Sequence, residues 1–233
     1  MDTVPPYVAV VFILTTFATL AFLTQIVKAA GSRSLPAKIL FFILPLWVIF
    51  QGVIALGGFY LNENSVPPRI ALFGVLPAVA LIFVYLIFFR KTFIERIPLS
   101  LLTSLHVVRI PVELTLYWLY IGKQVPQVMT FDGRNFDILS GILSIFVYFV
   151  AFRLGRGRTW FLIAFNAIGL LLLANIVSIA ILAIPSPMQQ IAFDQPNRAV
   201  TIFPYVWLPT IIVPAVLFAH LAALWNLALG RDR

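Results

Sequence analysis

The stretch Leu99–Ile121, LSLLTSLHVVRIPVELTLYWLYI, decides how the whole chain is read. It has the length and apolar majority of a membrane-crossing helix, about 20 residues, yet it carries His106, Arg109 and Glu113. A charged side chain near the bilayer centre costs at least about 2.5–3.5 kcal/mol on insertion scales, so charge at that depth marks a functional site with a partner to be found. At about 100° per residue, Thr103, His106, Arg109, Glu113, Tyr117 and Tyr120 fall within roughly 120° of one another and form one polar stripe. Lipid cannot hydrogen-bond such a stripe, which must face other helices or a watery cavity. Arg109 and Glu113 are four residues apart and can pair directly along the helix. Pro111 between them removes one backbone hydrogen bond and is expected to kink the helix. Two readings of the pair stand open: an internal salt bridge that sets how the helix packs, or a cavity-facing site that binds a solute or relays a proton.

The rest of the 233-residue chain agrees with a membrane reading. It is 62% hydrophobic and 10% charged, with a mean hydropathy of +1.04, which leaves too little polar surface for a soluble domain. Uncharged stretches of spanning character run over 8–27, 39–61, 70–89, 138–152, 159–184 and 210–229, which with 99–121 make seven spans. The expected fold class is therefore all-α, a polytopic bundle of seven transmembrane helices in one domain over 1–233. The fifth span, 15 uncharged residues, reaches only about 22 Å against a core of about 30 Å. The 32 uncharged residues over 199–230 are instead too many for one span. Its early part, TIFPYVWLP, reads as an interfacial or re-entrant segment with Phe203, Tyr205 and Trp207 in an aromatic belt.

Basic residues set the orientation. Lys28, Arg33 and Lys38, then Arg90, Lys91 and Arg96, then Arg153, Arg156 and Arg158, and finally Arg231 and Arg233 fall in the first, third and fifth loops and the C-terminus, all on one side of the membrane. The opposite loops hold only Arg69, Lys123, Arg134 and Arg198. The bias predicts the N-terminus outside and the C-terminus in the cytoplasm, with Asp2, Glu63, Asp132, Asp137 and Asp194 outside. The same rule accounts for the net charge of +8 without nucleic acid.

With no cysteine in the chain, imidazole chemistry rests on His106 and His220. Both lie about 12–16 Å from the inner surface on helices that run in opposite directions, so they can face each other. They are the candidate acid/base residues of an intramembrane enzyme. They are also the ligands of a less favoured haem alternative; no cofactor and no metal is expected. Glu113 stands about 10.5 Å along the helix from His106, too far for the two to share a zinc ion. Asn166 and Asn175 point to opposite faces of their helix and read as interhelical hydrogen-bonding residues. In the outer loops, Phe131-Asp132-Gly133-Arg134-Asn135 and Phe193-Asp194-Gln195-Pro196-Asn197-Arg198 share a short pattern of turn formers with Asp and Arg side by side. They read as ordered turns capping the bundle or as the rim of a cavity descending to Arg109, Glu113 and Tyr117.

The segments HVVRIPVE (106–113), MTFDGRNFDI (129–138) and AFDQPN (192–197) resemble a group of bacterial seven-span membrane proteins to which no activity is assigned. The resemblance implies the architecture and a bacterial cytoplasmic membrane. The leading functional expectation is a multi-pass membrane protein, in contact with membrane lipid, that binds or passes a small polar or anionic solute. Its binding residues are Arg109, Glu113 and Tyr117, rimmed by Asp132, Arg134, Asp194 and Arg198. An intramembrane enzyme acting on a lipid-like substrate and a structural or sensory subunit are the alternatives.

Overall fold

Proline and threonine shape the helices of this chain. The computed structural model describes residues 3–154 and 158–230, with side chains from 159 onward in the second segment; Asp2, Arg156, Arg231, Arg233 and the side chain of Arg158 lie outside the described residues. Within them there are seven long helices and no strands: α1 Pro6–Gly31, α2 Leu35–Leu56, α3 Ala71–Phe88, α4 Leu99–Ile121, α5 Asp137–Tyr148, α6 Arg158–Leu182 and α7 Leu208–Ala228. Six of these, all but α5, are long and apolar enough to cross a bilayer, which indicates a membrane protein. The short fifth element, expected from its 15 uncharged residues, is a 12-residue helix extended by a π turn over Phe149–Arg153.

α1 opens on Pro6, where a missing N–H costs nothing. Thr15, Thr16, Thr19 and Thr24 each donate their hydroxyl to the carbonyl four residues earlier, so no threonine needs an outside partner. α3 and α7 each begin with a π turn, Ala71–Val75 and Leu208–Ile212, just ahead of Pro77 and Pro214. Pro77 has no N–H to offer the carbonyl of Phe73, and Pro214 none for that of Thr210. Both carbonyls find a donor on α2: Gln51 Nε2 at 2.9 Å and Trp47 Nε1 at 3.0 Å. Gln51 and Trp47, set in the apolar stretch of α2 after Lys38, are thereby explained by the backbone of its neighbours.

α4 and α7 form the centre of the bundle, and most of their length is buried. α4 packs on α1, α5 and α7; α6 lies against α5 and α7; α3 leans on α7, and α2 on α1. α2 and α3 turn most of their surface outward. α4 tightens into a 3-10 turn at His106–Val108, which contains Val107, the residue whose carbonyl Pro111 leaves without a helical donor.

Residues 199–207 correct one expectation. Tyr205 and Trp207 are buried, not set in an interfacial belt: Tyr205 packs against Phe12, Trp207 against Phe17 and the half-buried Phe203, and the indole of Trp207 donates to the carbonyl of Val48. Irregular backbone is tolerated here because protein surrounds it; Tyr205 and Trp207 pack against α1 and Trp207 bonds to α2.

Candidate functional site

Arg109 projects from α4 into the space between α5, α6 and α7 and is 2% exposed. Its Nε donates to Asp137 Oδ2 at 2.7 Å and its Nη2 to Asp137 Oδ1 at 2.5 Å, a two-pronged ion pair. Nη1 donates to Ser140 Oγ at 2.7 Å and meets His220 Nε2 at 3.0 Å; Nη2 also reaches the carbonyl of Gly169 at 3.4 Å. A guanidinium has five N–H groups, and here each has an acceptor. One side chain of α4 is thus tied to α5, α6 and α7 at once.

The pairing with Glu113 that the spacing allows is not what forms. Asp137, the first residue of α5, takes Arg109 because a carboxylate facing the fork from another helix offers both oxygens in plane, whereas one four residues along the same helix meets it obliquely. Asp137 also gains from its place in the first turn of α5. Glu113, 1% exposed, receives the amide of Asn135 instead, at 2.7 and 2.8 Å to its two oxygens. The same Asn135 nitrogen donates to the carbonyl of Met129, and Asn135 Oδ1 accepts the backbone N–H of Asp137. One asparagine therefore positions both acids.

The histidines meet as anticipated. His106 and His220 stack with ring centroids 3.9 Å apart and planes 23° from parallel, and Phe165 closes over both rings. The arginine fixes a tautomer by elimination: Arg109 has only donors, so His220 Nε2 accepts, and its Nδ1 carries the proton donated to Asn166 Oδ1 at 2.9 Å. Asn166, whose own amide donates to Leu162, fills the interhelical role expected of it, while Asn175 on the other face of α6 donates to the carbonyl of Arg134. His106 is different. It is 0% exposed, and among the described residues neither ring nitrogen has a hydrogen-bond partner; the same holds for Thr103 Oγ1, buried one turn earlier on α4.

Rings stacked face to face leave no room for a macrocycle between them, and His220 Nε2 is already occupied. Bis-histidine haem ligation does not fit here. Among the described residues no group of three His, Asp or Glu comes together that could hold a metal ion. As acid/base candidates, His106 and His220 are both wholly enclosed.

The predicted rim residues stand apart from this cluster. Asp132 accepts from Gln127, Arg198 pairs with Glu63 at 2.7 Å with both about half exposed, and Arg134 and Asp194 are exposed. Tyr117 is half-buried and stacks on Phe131. In each Phe-Asp-x-x-Asn loop it is the asparagine, Asn135 or Asn197, that is buried. The second loop is fastened to the first end of the bundle by Gln195, which donates to the carbonyls of Tyr120 and Val125, and by Arg198 and Ala199, whose N–H groups reach the carbonyl of Gln124. Nothing in the sequence set Asn135 apart from an ordinary turn residue ahead of α5.

The chain belongs to the family described as Domain of unknown function (DUF8737), whose model matches residues 67–228. The matched region holds α3 to α7 and with them every residue of the polar cluster. Comparison with curated proteins and with solved structures found no match.

Proposed function

We propose that this protein is a seven-span integral membrane protein of a bacterial cytoplasmic membrane, N-terminus outside and C-terminus within, that passes a small polar solute through its buried cluster, and that the solute is the proton. Support for the proton over an anion comes from Arg109, whose five N–H groups are all engaged and which leaves none to greet an anionic ligand. The observation that carries the reading is His106: a fully buried imidazole to which no described residue offers a hydrogen bond at either nitrogen costs about 1–3 kcal/mol per unsatisfied group, which packing alone gives no reason to retain. Glu113, Asn135, Asp137, Arg109, His220 and His106 form a chain of contacts in that order, acids at one end and imidazoles at the other. Arg109 cannot surrender its own proton. It separates the acids from the histidines, so transfer between them requires its side chain to shift, a built-in gate.

The test is proton flux into liposomes carrying the full-length protein, driven by a potassium diffusion potential and read with an enclosed pH dye. Flux above that of empty liposomes is expected, and His106→Phe is expected to reduce it at least about tenfold. The same variant should fold normally or gain stability, since it removes polar atoms that have no partner. Protein-bearing liposomes no leakier than empty ones would sink the reading. They would favour a second one, supported by the three-helix grip of Arg109: a structural or sensory subunit in which the cluster only fixes helix positions.

A further inference from the structure

The side of the bundle built by α1, α2 and α3 carries a feature that the polar cluster does not use. α2 and α3 are joined near one end by the hydrogen bond of Gln51 to Phe73 and near the other by Tyr85 Oη, which donates to the carbonyl of Pro36 at 2.7 Å. Between these two ties the helices part, and an apolar cleft of about 290 Å³ opens between α1, α2, α3 and α7, with Leu44, Trp47, Ala78 and Phe218 among its walls. A second apolar cleft, of about 600 Å³, runs on the other side of α2, toward Phe17 and Phe203. The two share Val27, Leu40, Leu44 and Val48, so they lie side by side along α2.

Both clefts run to the end of the bundle where Val27 is followed by Lys28 and Leu40 is preceded by Lys38. Arg33 lies in the connection between them, and Arg90, Lys91 and Arg96 follow α3 at the same end. All six cations are exposed. Arg90 lies over the ring of Trp225, with its guanidinium carbon 5.6 Å from the ring centroid. Two adjacent apolar slots reaching the end of the bundle that carries six exposed cations, with Glu95 the one acid in the same connections, match the shape and charge of a diacyl amphiphile with an anionic headgroup. We propose that this face is a specific binding site for an anionic phospholipid, its two acyl chains in the clefts on either side of α2 and its phosphate among Lys28, Lys38 and the Arg90–Lys91 pair. Basic loops alone attract an anionic bilayer without selecting a lipid; a cleft flanking the same cations adds the selection. The proposal rests on the membrane reading but not on proton passage.

The experiment uses the full chain purified in detergent, with native mass spectrometry to count retained lipid and quenching of tryptophan fluorescence by bromine on the acyl chains to place it, Trp47 and Trp207 lining the two clefts. The probes are brominated phosphatidylglycerol and brominated phosphatidylcholine. One or two phosphatidylglycerol molecules are expected to survive, with at least about tenfold preference over phosphatidylcholine, and to quench. Lys28→Gln with Lys38→Gln, both at exposed positions, should remove that preference. Ala78→Phe, which fills the narrower cleft, should reduce retention of either lipid at least about tenfold. Inorganic phosphate up to millimolar concentration should displace nothing; displacement would show a free-anion site and overturn the proposal. Equal retention of the two lipids, retention unchanged by Ala78→Phe, or a second copy of the chain in place of lipid would each overturn it as well. Loss of proton flux bears on none of these outcomes, so the two readings fail separately.

Discussion

Asp137→Asn is expected to lower the thermal midpoint of the detergent-solubilised protein by roughly 6–20 °C, the equivalent of about 3–5 kcal/mol in a chain of this size. The wild-type pair is buried, with Arg109 and the Asp137 side chain 2% and 8% exposed. Asparagine keeps the shape and one oxygen but cancels the countercharge, so the guanidinium is left buried with neutral acceptors only. Removing both charges is a different perturbation. Arg109→Met with Asp137→Leu eliminates the stranded ion, and such replacements are often neutral or stabilising. The double variant should therefore be more stable than Asp137→Asn, while proton flux in liposomes is lost in both. A double variant as unstable as the single would mean that the remaining contacts of Arg109, to Ser140, His220 and the carbonyl of Gly169, matter more than charge balance. A thermal midpoint unchanged by Asp137→Asn would remove the ion pair from any account of stability.

Gly169→Ala is the second large effect expected. A β-carbon at Gly169 would run into Cε1 and Nε2 of His220, with Ser140 Oγ at 3.1 Å on its other side. His220 has no easy retreat: Asn166 holds one nitrogen, Arg109 the other, and His106 covers its face. Overpacking of this kind costs about 1–3 kcal/mol, and relief by displacing His220 breaks the contact that joins the acids to the imidazoles. Both a lower thermal midpoint and at least tenfold slower proton flux are anticipated. Gly57→Ala is the matched control, because a β-carbon there meets its nearest neighbours at 3.6 Å, an ordinary contact; it should stay within about 0.5 kcal/mol of the wild type. If the two glycine variants behave alike, the packing of Gly169 against His220 has no mechanical importance.

Hydropathy and helical period were enough to place the elements. The apolar runs mark all seven helices, the 15-residue run marks α5 as short, and the polar stripe of α4 singles out His106, Arg109 and Glu113. The meeting of His106 with His220 also followed from one-dimensional information, since equal depth on two oppositely directed helices is a statement about length alone. These features depend on properties local to a segment: how many apolar residues it has, how they repeat, and how far each lies from an end.

Tertiary structure alone decided which polar groups became partners. Arg109 had one visible acid within reach along its helix, Glu113, and pairs instead with Asp137, 28 residues away, because α5 starts where its first carboxylate meets two N–H groups of the guanidinium fork. Asn135 looks in the sequence like any turn residue and becomes the hinge between Glu113 and Asp137 only when its loop folds back onto α4. The aromatics over 203–207 follow the same rule: composition fits an interface, while contacts with α1 and α2 draw Tyr205 and Trp207 inward. Side-chain partnership depends on the rotation and start point of helices packed together, and in a chain whose spans are nearly all apolar the hydrophobic pattern says little about rotation. The few polar residues supply it, by finding one another.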